Sequence, residues 1–574
     1  MATTYPGTPS SEIGHVLEEI SGEFGLYFEY STNEKVAVET AAAAAASGLR
    51  SFVFMKHVGV NVASDPLVSL GYVGVRAGMV VLSADDPSLH SSQNEQDNRH
   101  YATLANLPML EPSTPAEAKE MTIAAFGLSE RLQCPVFLRT TTRVNHARGV
   151  VPLGRSKEPV KEGHFEKDMA RFVPVPALAR QMRLRQLERN RQAAEISEAC
   201  EFNFIEGKGD IGVVTSGVAY TYAKEFLTDV SILKLGMTNP LPEKRIVDFM
   251  MRKKRVVVLE ELDPYLEDAV LRTVGQKCIK AEVVGKRSGH LPFAFEYSPD
   301  TLSALQGKVG LTEHKRPVKQ PSIALPSRPP VLCAGCPHRA TFYAVRKALG
   351  GRDAVISSDI GCYTLGLNPP MNMADFLLCM GSSVGAAGGF AEATDQKVIA
   401  FIGDSTLFHS GIPGVVNAVF NDHRYVLIVL DNRTTAMTGH QPNPGTGRGG
   451  ARSTEPVEIE PLVRGCGVES VRTIDPYDVR ATTTAVKEAL EKDQLSVIIA
   501  KRACPLAVKK KGGEGAKVCV VDPERCTLCE TCVSRFACPA MRVNGEKAFI
   551  EATVCTGCGA CVHICPKGAI GVME

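Results

Sequence analysis

Two oxygen-bearing side chains, Asp404 and Asn432, stand 28 positions apart, each just past a short apolar run. Lys397–Ile402 leads into Gly403-Asp404-Ser405, and Tyr425–Leu430 leads into Asp431-Asn432. Between them Ile412–Phe420 has helical spacing around Pro413. The stretch reads strand, helix, strand. Two parallel strands joined by a crossover helix bring both strand ends to one sheet edge, where ligands of open α/β sheets bind. A carboxylate and an amide oxygen, completed by phosphate oxygens, make a hard-oxygen site for magnesium. Gly403 lets the backbone come close to those phosphates. The plain alternative is a strand–helix–strand with a polar rim.

The tail carries the densest chemistry. Cys526, Cys529, Cys532 and Cys538 form C-x2-C-x2-C-x5-C-P, and Cys555, Cys558, Cys561 and Cys565 form C-x2-C-x2-C-x3-C-P. The second run has bacterial ferredoxin spacing, in which the fourth Cys of each run ligates the other cluster. One 4Fe–4S cluster is therefore expected on Cys526, Cys529, Cys532 and Cys565. The other is expected on Cys555, Cys558, Cys561 and Cys538. Structural zinc is the alternative, and eight Cys in duplicated spacing leave it little room. A further pair, Cys333-Ala-Gly-Cys336, precedes Cys362 and Cys504. A lone C-x2-C reads as zinc or a redox pair; buried free thiols are the bland reading.

The elements that position these groups need several domains. The chain has 574 residues, 44% of them hydrophobic, and a net charge of +1. A near-neutral chain advertises no nucleic-acid or membrane surface. No apolar run reaches the length that spans a bilayer, and the start, MATTYPGTPSSEIG, lacks a signal-peptide core. Eighteen Cys clustered as C-x2-C repeats, without a secretion signal, point to metal in a reducing compartment.

Residues 1–155 read as an α/β domain with helices over Ser11–Ile20 and Glu39–Ser47 and strands over Ser51–Met55, Met79–Ser83 and Val136–Leu138. Residues 156–204 read as a charged connecting helix. Residues 205–310 form a second α/β unit, with strands over Ile211–Thr215, Ser231–Leu235 and Val256–Leu259; Glu260-Glu261 reads there as caps and surface charge. A Pro-rich linker follows, residues 331–508 hold the Asp404 stretch, and Lys509–Lys517 tethers the 518–574 Cys module.

Gly-Asp-Ser followed by Asp-Asn resembles the thiamine diphosphate motif. The resemblance implies magnesium held by Asp404, Asn432 and the Thr434 carbonyl, with Gly403, Ser405, Thr438 and Gln441 at the cofactor. The glycines of Gly381–Ala393 would pack a helix near the diphosphate. YPGTPSSEI resembles the pyrimidine-domain start of 2-oxoacid:ferredoxin oxidoreductases. On that likeness Thr8 is a substrate contact and Glu39, ahead of an Ala run, is the acid that activates the aminopyrimidine; a helix N-terminal Glu complementing the dipole is the alternative. Arg99 is a candidate anchor for a substrate carboxylate, against a solvated loop Arg. His57 is a weaker candidate, against a structural His.

The family likeness implies an α/β fold of three thiamine-enzyme domains (pyrimidine-binding, transketolase C-terminal-like, diphosphate-binding) plus a small α+β bacterial-ferredoxin domain. It implies a third, proximal 4Fe–4S cluster on Cys333, Cys336, Cys362 and Cys504. CAGCPHR, GDSTLFHSGIPG and DNRTTAMTGHQPNPG resemble the arylpyruvate-oxidising branch. That branch implies oxidative decarboxylation of arylpyruvates such as indolepyruvate to acyl-CoA, with electrons leaving to ferredoxin. It also implies a smaller beta subunit, a hetero-oligomer with two copies of this chain, and an oxygen-poor cytoplasm. His440, where pyruvate-oxidising relatives have Gly, would shape the aryl pocket. Family members carry a further strand and helix ahead of Tyr-Pro-Gly-Thr-Pro, so the first domain is expected to lack a strand or to be truncated. A non-redox thiamine decarboxylase and a non-catalytic electron-transfer subunit are the other readings.

Overall fold

Seven strands build the first sheet, in the order Met237–Asn239, Met109–Leu110, Val136–Thr141, Met79–Asp85, Ser51–Lys56, Ala2–Thr4, Phe28–Tyr30. All pair in parallel except Met237–Asn239, which runs against Met109–Leu110. Every residue of Met79–Asp85 is buried. Coverage on both faces explains why these strands read as continuous rather than alternating apolar runs. The computed structural model describes residues 1–154, 162–311, 325–326, 328–449, 452–510 and 517–572. Most of the Pro-rich linker, part of the charged segment and part of the Lys509–Lys517 tether lie outside the described residues. The chain divides into two units, Met1–Ser322 and Ile323–Glu574.

One helix starts earlier than its composition suggests. The Asn33 side chain accepts from the Val36 N–H at 2.9 Å and opens a helix over Glu34–Ala46. Asn at the N-cap is a stronger start signal than the Ala run downstream. Glu39 therefore sits inside the helix instead of opening it.

The first unit holds a second sheet, ordered Glu282–Val284, Arg255–Leu259, Ile211–Ser216, Val230–Leu235, Phe204–Glu206. The helix Pro176–Ala199 precedes it. Glu260 and Glu261, read above as caps and surface charge, are buried, and only the capping role is seen, at Glu260. The Glu260 carboxylate accepts from the Leu266 and Glu267 N–H groups, capping the helix Tyr265–Lys277, and from Arg99. Buried Arg139 joins Asp85 and Glu111 in the same charged layer.

In the second unit a parallel sheet runs Ala354–Ser357, Lys397–Gly403, Val426–Asp431, Ser496–Lys501, Ser470–Ile474. Apolar layers cover both faces: Phe342, Phe401 and Ile428 lie in one, Val384, Ile402 and Val429 in the other. The Cys-rich tail adds two antiparallel pairs, Cys519–Val521 with Ile570–Val572 and Met541–Val543 with Ala548–Ile550. No described helix is long and apolar enough to cross a membrane.

Candidate cofactor site

Strand register brings the oxygen donors together. Gly403 pairs with Leu430, so Asp404 and Asp431 follow side by side at one sheet edge, with Asn432 next. The chain turns directly from strand to helix at Asp404 and passes a π-helical turn over Leu407–Gly411 before Ile412–Phe420. Such turns gather at functional sites. Asp404 is buried, and Asn443 donates to its Oδ2 at 3.0 Å. Burial and neighbouring Asp431 push the Asp404 carboxyl up to about 7. Two adjacent buried carboxyls with amide oxygens beside them form a set that a divalent cation would neutralise. Asn432 is buried, and its Oδ1 accepts from the Thr434 N–H at 3.1 Å. The Thr435 hydroxyl donates to Ser405 at 2.9 Å, tying the two strand ends together. A β-carbon on Gly403 would stand 2.6 Å from the Tyr363 ring.

Thr438 and Gln441 are hydrogen-bonded to each other. The Thr438 hydroxyl donates to Gln441 Oε1 at 2.6 Å, and Gln441 Nε2 returns to the Thr438 carbonyl at 2.7 Å. The pair forms a clasp that holds the loop in place. The Gly381–Ala393 stretch also differs from expectation at its start. The buried Asp359 carboxylate accepts from the Gly381 and Ser383 N–H groups, so an internal anion caps the helix Ser382–Ala393.

The cysteines converge as their spacing implies. Cys333, Cys336, Cys362 and Cys504 all line one cavity of about 250 Å³. Its wall also includes Asn432, His338 and His440. Burial, with Cys362 and Cys333 close by, pushes the Cys336 thiol up to about 12; burial, with Cys504 and Cys333, pushes Cys362 up likewise. In the tail, burial and neighbours Cys529, Cys565 and Cys526 raise Cys532, whereas burial and neighbours Cys538, Cys519 and Cys555 raise Cys558. The fourth Cys of each run thus stands with the other run. Four soft sulfur donors per group suit iron–sulfur ligation.

The tail is held against the thiol cavity. Arg339 donates to the Phe536 and Ala537 carbonyls at 3.2 and 2.6 Å and to the Leu332 carbonyl at 2.5 Å. The Tyr477 hydroxyl donates to the Gly335 carbonyl at 2.5 Å. A β-carbon on Gly335, between Cys333 and Cys336, would collide with Thr556, between Cys555 and Cys558.

The first unit carries a second group of candidates, and three of them are corrected. Glu39 is exposed and ion-paired with Lys35 one turn earlier, so solvent and a lysine surround it. Glu34, which opens the same helix, is buried, and its carboxyl lies against Gly59. Small-residue approach and an acid at a helix start are the features sought in Glu39, and Glu34 has them. The signal in sequence was Asn33-Glu34, an N-cap followed by an acid. Arg99 is 1% exposed, and its guanidinium is engaged by Asp97, Glu260 and the Glu261 and Asp263 carbonyls. A guanidinium so saturated has no fork left for a substrate carboxylate. His57 is fully buried; its Nε2 meets the Asn94 carbonyl at 3.2 Å, and its own carbonyl accepts from Gln96 and Asn98. It braces the 94–98 loop. Thr8 is partly exposed, with its hydroxyl 3.3 Å from Ser11 Oγ.

Comparison with known proteins follows the same division. Residues 1–200 match the family described as pyruvate flavodoxin/ferredoxin oxidoreductase, thiamine diP-binding. Residues 359–500 match thiamine pyrophosphate enzyme, C-terminal TPP binding domain, and residues 518–566 match a 4Fe-4S dicluster domain. The chain is 51% identical over 585 residues to indolepyruvate oxidoreductase subunit IorA of Methanothermobacter thermautotrophicus, covering 99% of this chain and 94% of that protein. Its counterpart in Methanothermobacter marburgensis is 49% identical over the same shares, and that of Archaeoglobus fulgidus is 45% identical over 99% and 93%.

Proposed function

The chain belongs to the indolepyruvate oxidoreductase IorA family, and from that membership we propose a thiamine-diphosphate-dependent oxidative decarboxylation of arylpyruvates, indolepyruvate foremost, with electrons leaving through iron–sulfur clusters. The carrying observation is the junction of a buried Asp404–Asn432 edge with the Cys333–Cys336–Cys362–Cys504 cavity, which Asn432 itself lines. A carbon-activating cofactor beside a one-electron relay is what separates oxidation from simple decarboxylation. Thiamine diphosphate, when bound, supplies the nucleophilic carbon and the electron sink for loss of carbon dioxide.

The residues' own parts follow. Asp404, Asn432 and the Thr434 carbonyl would hold Mg2+, and Asn443 fixes the Asp404 carboxylate by donating to its Oδ2. Glu34, a buried carboxyl at its helix start packed against Gly59, would serve the aminopyrimidine. Cys526, Cys529, Cys532 and Cys565 would hold one 4Fe–4S cluster, and Cys555, Cys558, Cys561 and Cys538 a second. Cys333, Cys336, Cys362 and Cys504 would hold a third. His440 lines the same cavity and would shape the space offered to an aryl group.

The partners proposed are a smaller beta subunit, an external ferredoxin and coenzyme A. The beta subunit would join a hetero-oligomer containing two copies of this chain, in an oxygen-poor cytoplasm. The test is arylpyruvate-dependent reduction of a viologen dye by the chain with its partner, with and without thiamine diphosphate. Dye reduction with acyl-CoA formation supports the reading. Aldehyde without reduction would identify a non-redox decarboxylase. Electron flow without thiamine dependence would identify a carrier subunit.

A further inference from the structure

His338 follows the second Cys of CAGCPH, inside the first turn of the helix Pro337–Leu349. It is 2% exposed and stands edge-on to the Tyr363 ring. Its Nε2 lies 3.2 Å from Asn432 Nδ2. The orientation of the Asn432 amide is fixed independently, because its Oδ1 already accepts from the Thr434 N–H. The atom facing His338 is therefore the NH2, which can only donate. His338 Nε2 must accept, so the imidazole is neutral and carries its proton on Nδ1.

That Nδ1–H meets no acceptor among the described residues. A buried donor left without a partner costs about 1–3 kcal/mol. The ring lines the cavity bounded by Cys333, Cys336, Cys362 and Cys504, and a group held by those thiols would supply an acceptor beside it. We propose that His338 donates a hydrogen bond from Nδ1 to the iron–sulfur group on these four cysteines, its tautomer set by the magnesium ligand Asn432. One imidazole then touches both the amide of the thiamine edge and the first electron acceptor. The inference rests on the proposed third cluster. Hydrogen bonds to cluster sulfurs raise the reduction potential, so His338 tunes how readily that cluster accepts an electron.

Two variants separate the two ring nitrogens. His338→Gln keeps an acceptor where Nε2 stood and loses the Nδ1 donor. His338→Asn keeps a donor near Nδ1 and loses the acceptor. Each is purified anaerobically as the holoenzyme with its partner subunit. Iron is counted, and cluster midpoints are followed by EPR-monitored redox titration. Three cubanes' worth of iron, with one midpoint falling in His338→Gln, unmoved in His338→Asn and the other two constant in both, is the result expected. Three cubanes with every midpoint unmoved in His338→Gln overturns the proposal and leaves the third cluster standing. An effect confined to the KM for arylpyruvate also overturns it, since the N–H would then face substrate. Two cubanes' worth of iron in the unaltered protein removes the premise and the proposal together.

Discussion

The carboxyl of Glu34 lies against Gly59 so closely that a β-carbon there would stand 2.6 Å from its Oε1. The acid is thereby fixed at a helix start with only a hydrogen atom's room behind it. Glu34→Gln is expected to cut thiamine-dependent turnover on the order of 10²–10⁴-fold, the usual loss for a positioned proton-transfer group. Gly59→Ala should lower turnover with iron content intact, because the added methyl displaces the carboxyl. Glu39→Gln should leave the rate unchanged. Steady-state dye reduction by the three variants checks the assignment; a Glu39→Gln enzyme as crippled as Glu34→Gln would reverse it.

Arg99 is a structural cation. Arg99→Met strands Asp97 and Glu260 as buried charges without their partner, and the expected cost is about 3–5 kcal/mol. Thermal unfolding should drop accordingly, with KM for the 2-oxoacid unaffected in the folded fraction. A raised KM at unchanged stability would restore the substrate-anchor role.

Glu261 gives a pH signature. Burial is the main cause that lifts its carboxyl from the ordinary 4.5 to about 7. Below 4.5 it is protonated folded and unfolded alike. As pH rises from 4.5 through 7 the unfolded chain releases its proton first, so native stability falls across that window and levels off above it. Glu261→Gln removes the loss, and it retains an acceptor for the Tyr297 N–H that the carboxylate now serves. The variant should match the parent near the lower bound and exceed it by about 1–3 kcal/mol above the upper one. Denaturation midpoints at both ends of the range measure the difference.

Asp404→Asn keeps the hydrogen-bonding shape and removes the charge. The parent protein should show a thermal shift with thiamine diphosphate that depends on added Mg2+. In the variant that Mg2+ dependence should vanish while iron content stays constant. A retained, metal-dependent shift would place the cation elsewhere.

The tail makes a crossed prediction. Cys538→Ser should damage the cluster on Cys555, Cys558 and Cys561, and Cys565→Ser the cluster on Cys526, Cys529 and Cys532. EPR of the reduced variants, compared with truncation of each run, distinguishes crossed from uncrossed ligation.

Much of this was legible in the residues because it depends on local periodicity. Lys397–Gly403, Ile412–Phe420 and Val426–Asp431 lie within a residue of the pattern read from apolar spacing, and parallel register alone then aligns Asp404 with Asp431. Glu39 misled because an Ala run advertises a helix interior, while the cap at Asn33 was six residues back. Arg99 and His57 misled for a different reason. Their partners, Glu260 and the Asn94 carbonyl, are supplied by remote or irregular segments that no short motif announces. His338 stood inside a quoted motif, but its meaning needs the Asn432 amide 94 positions away.

Arg339, Tyr477 and the Gly335–Thr556 contact weld the C-terminal module to the loop that bears Cys333 and Cys336. The module is thus not a swinging arm that must travel to collect its cargo. Lengthening the Lys509–Lys517 tether should therefore leave internal electron throughput unaltered, whereas bulk at Gly335 should slow it, because conduction here depends on a seam and not on reach.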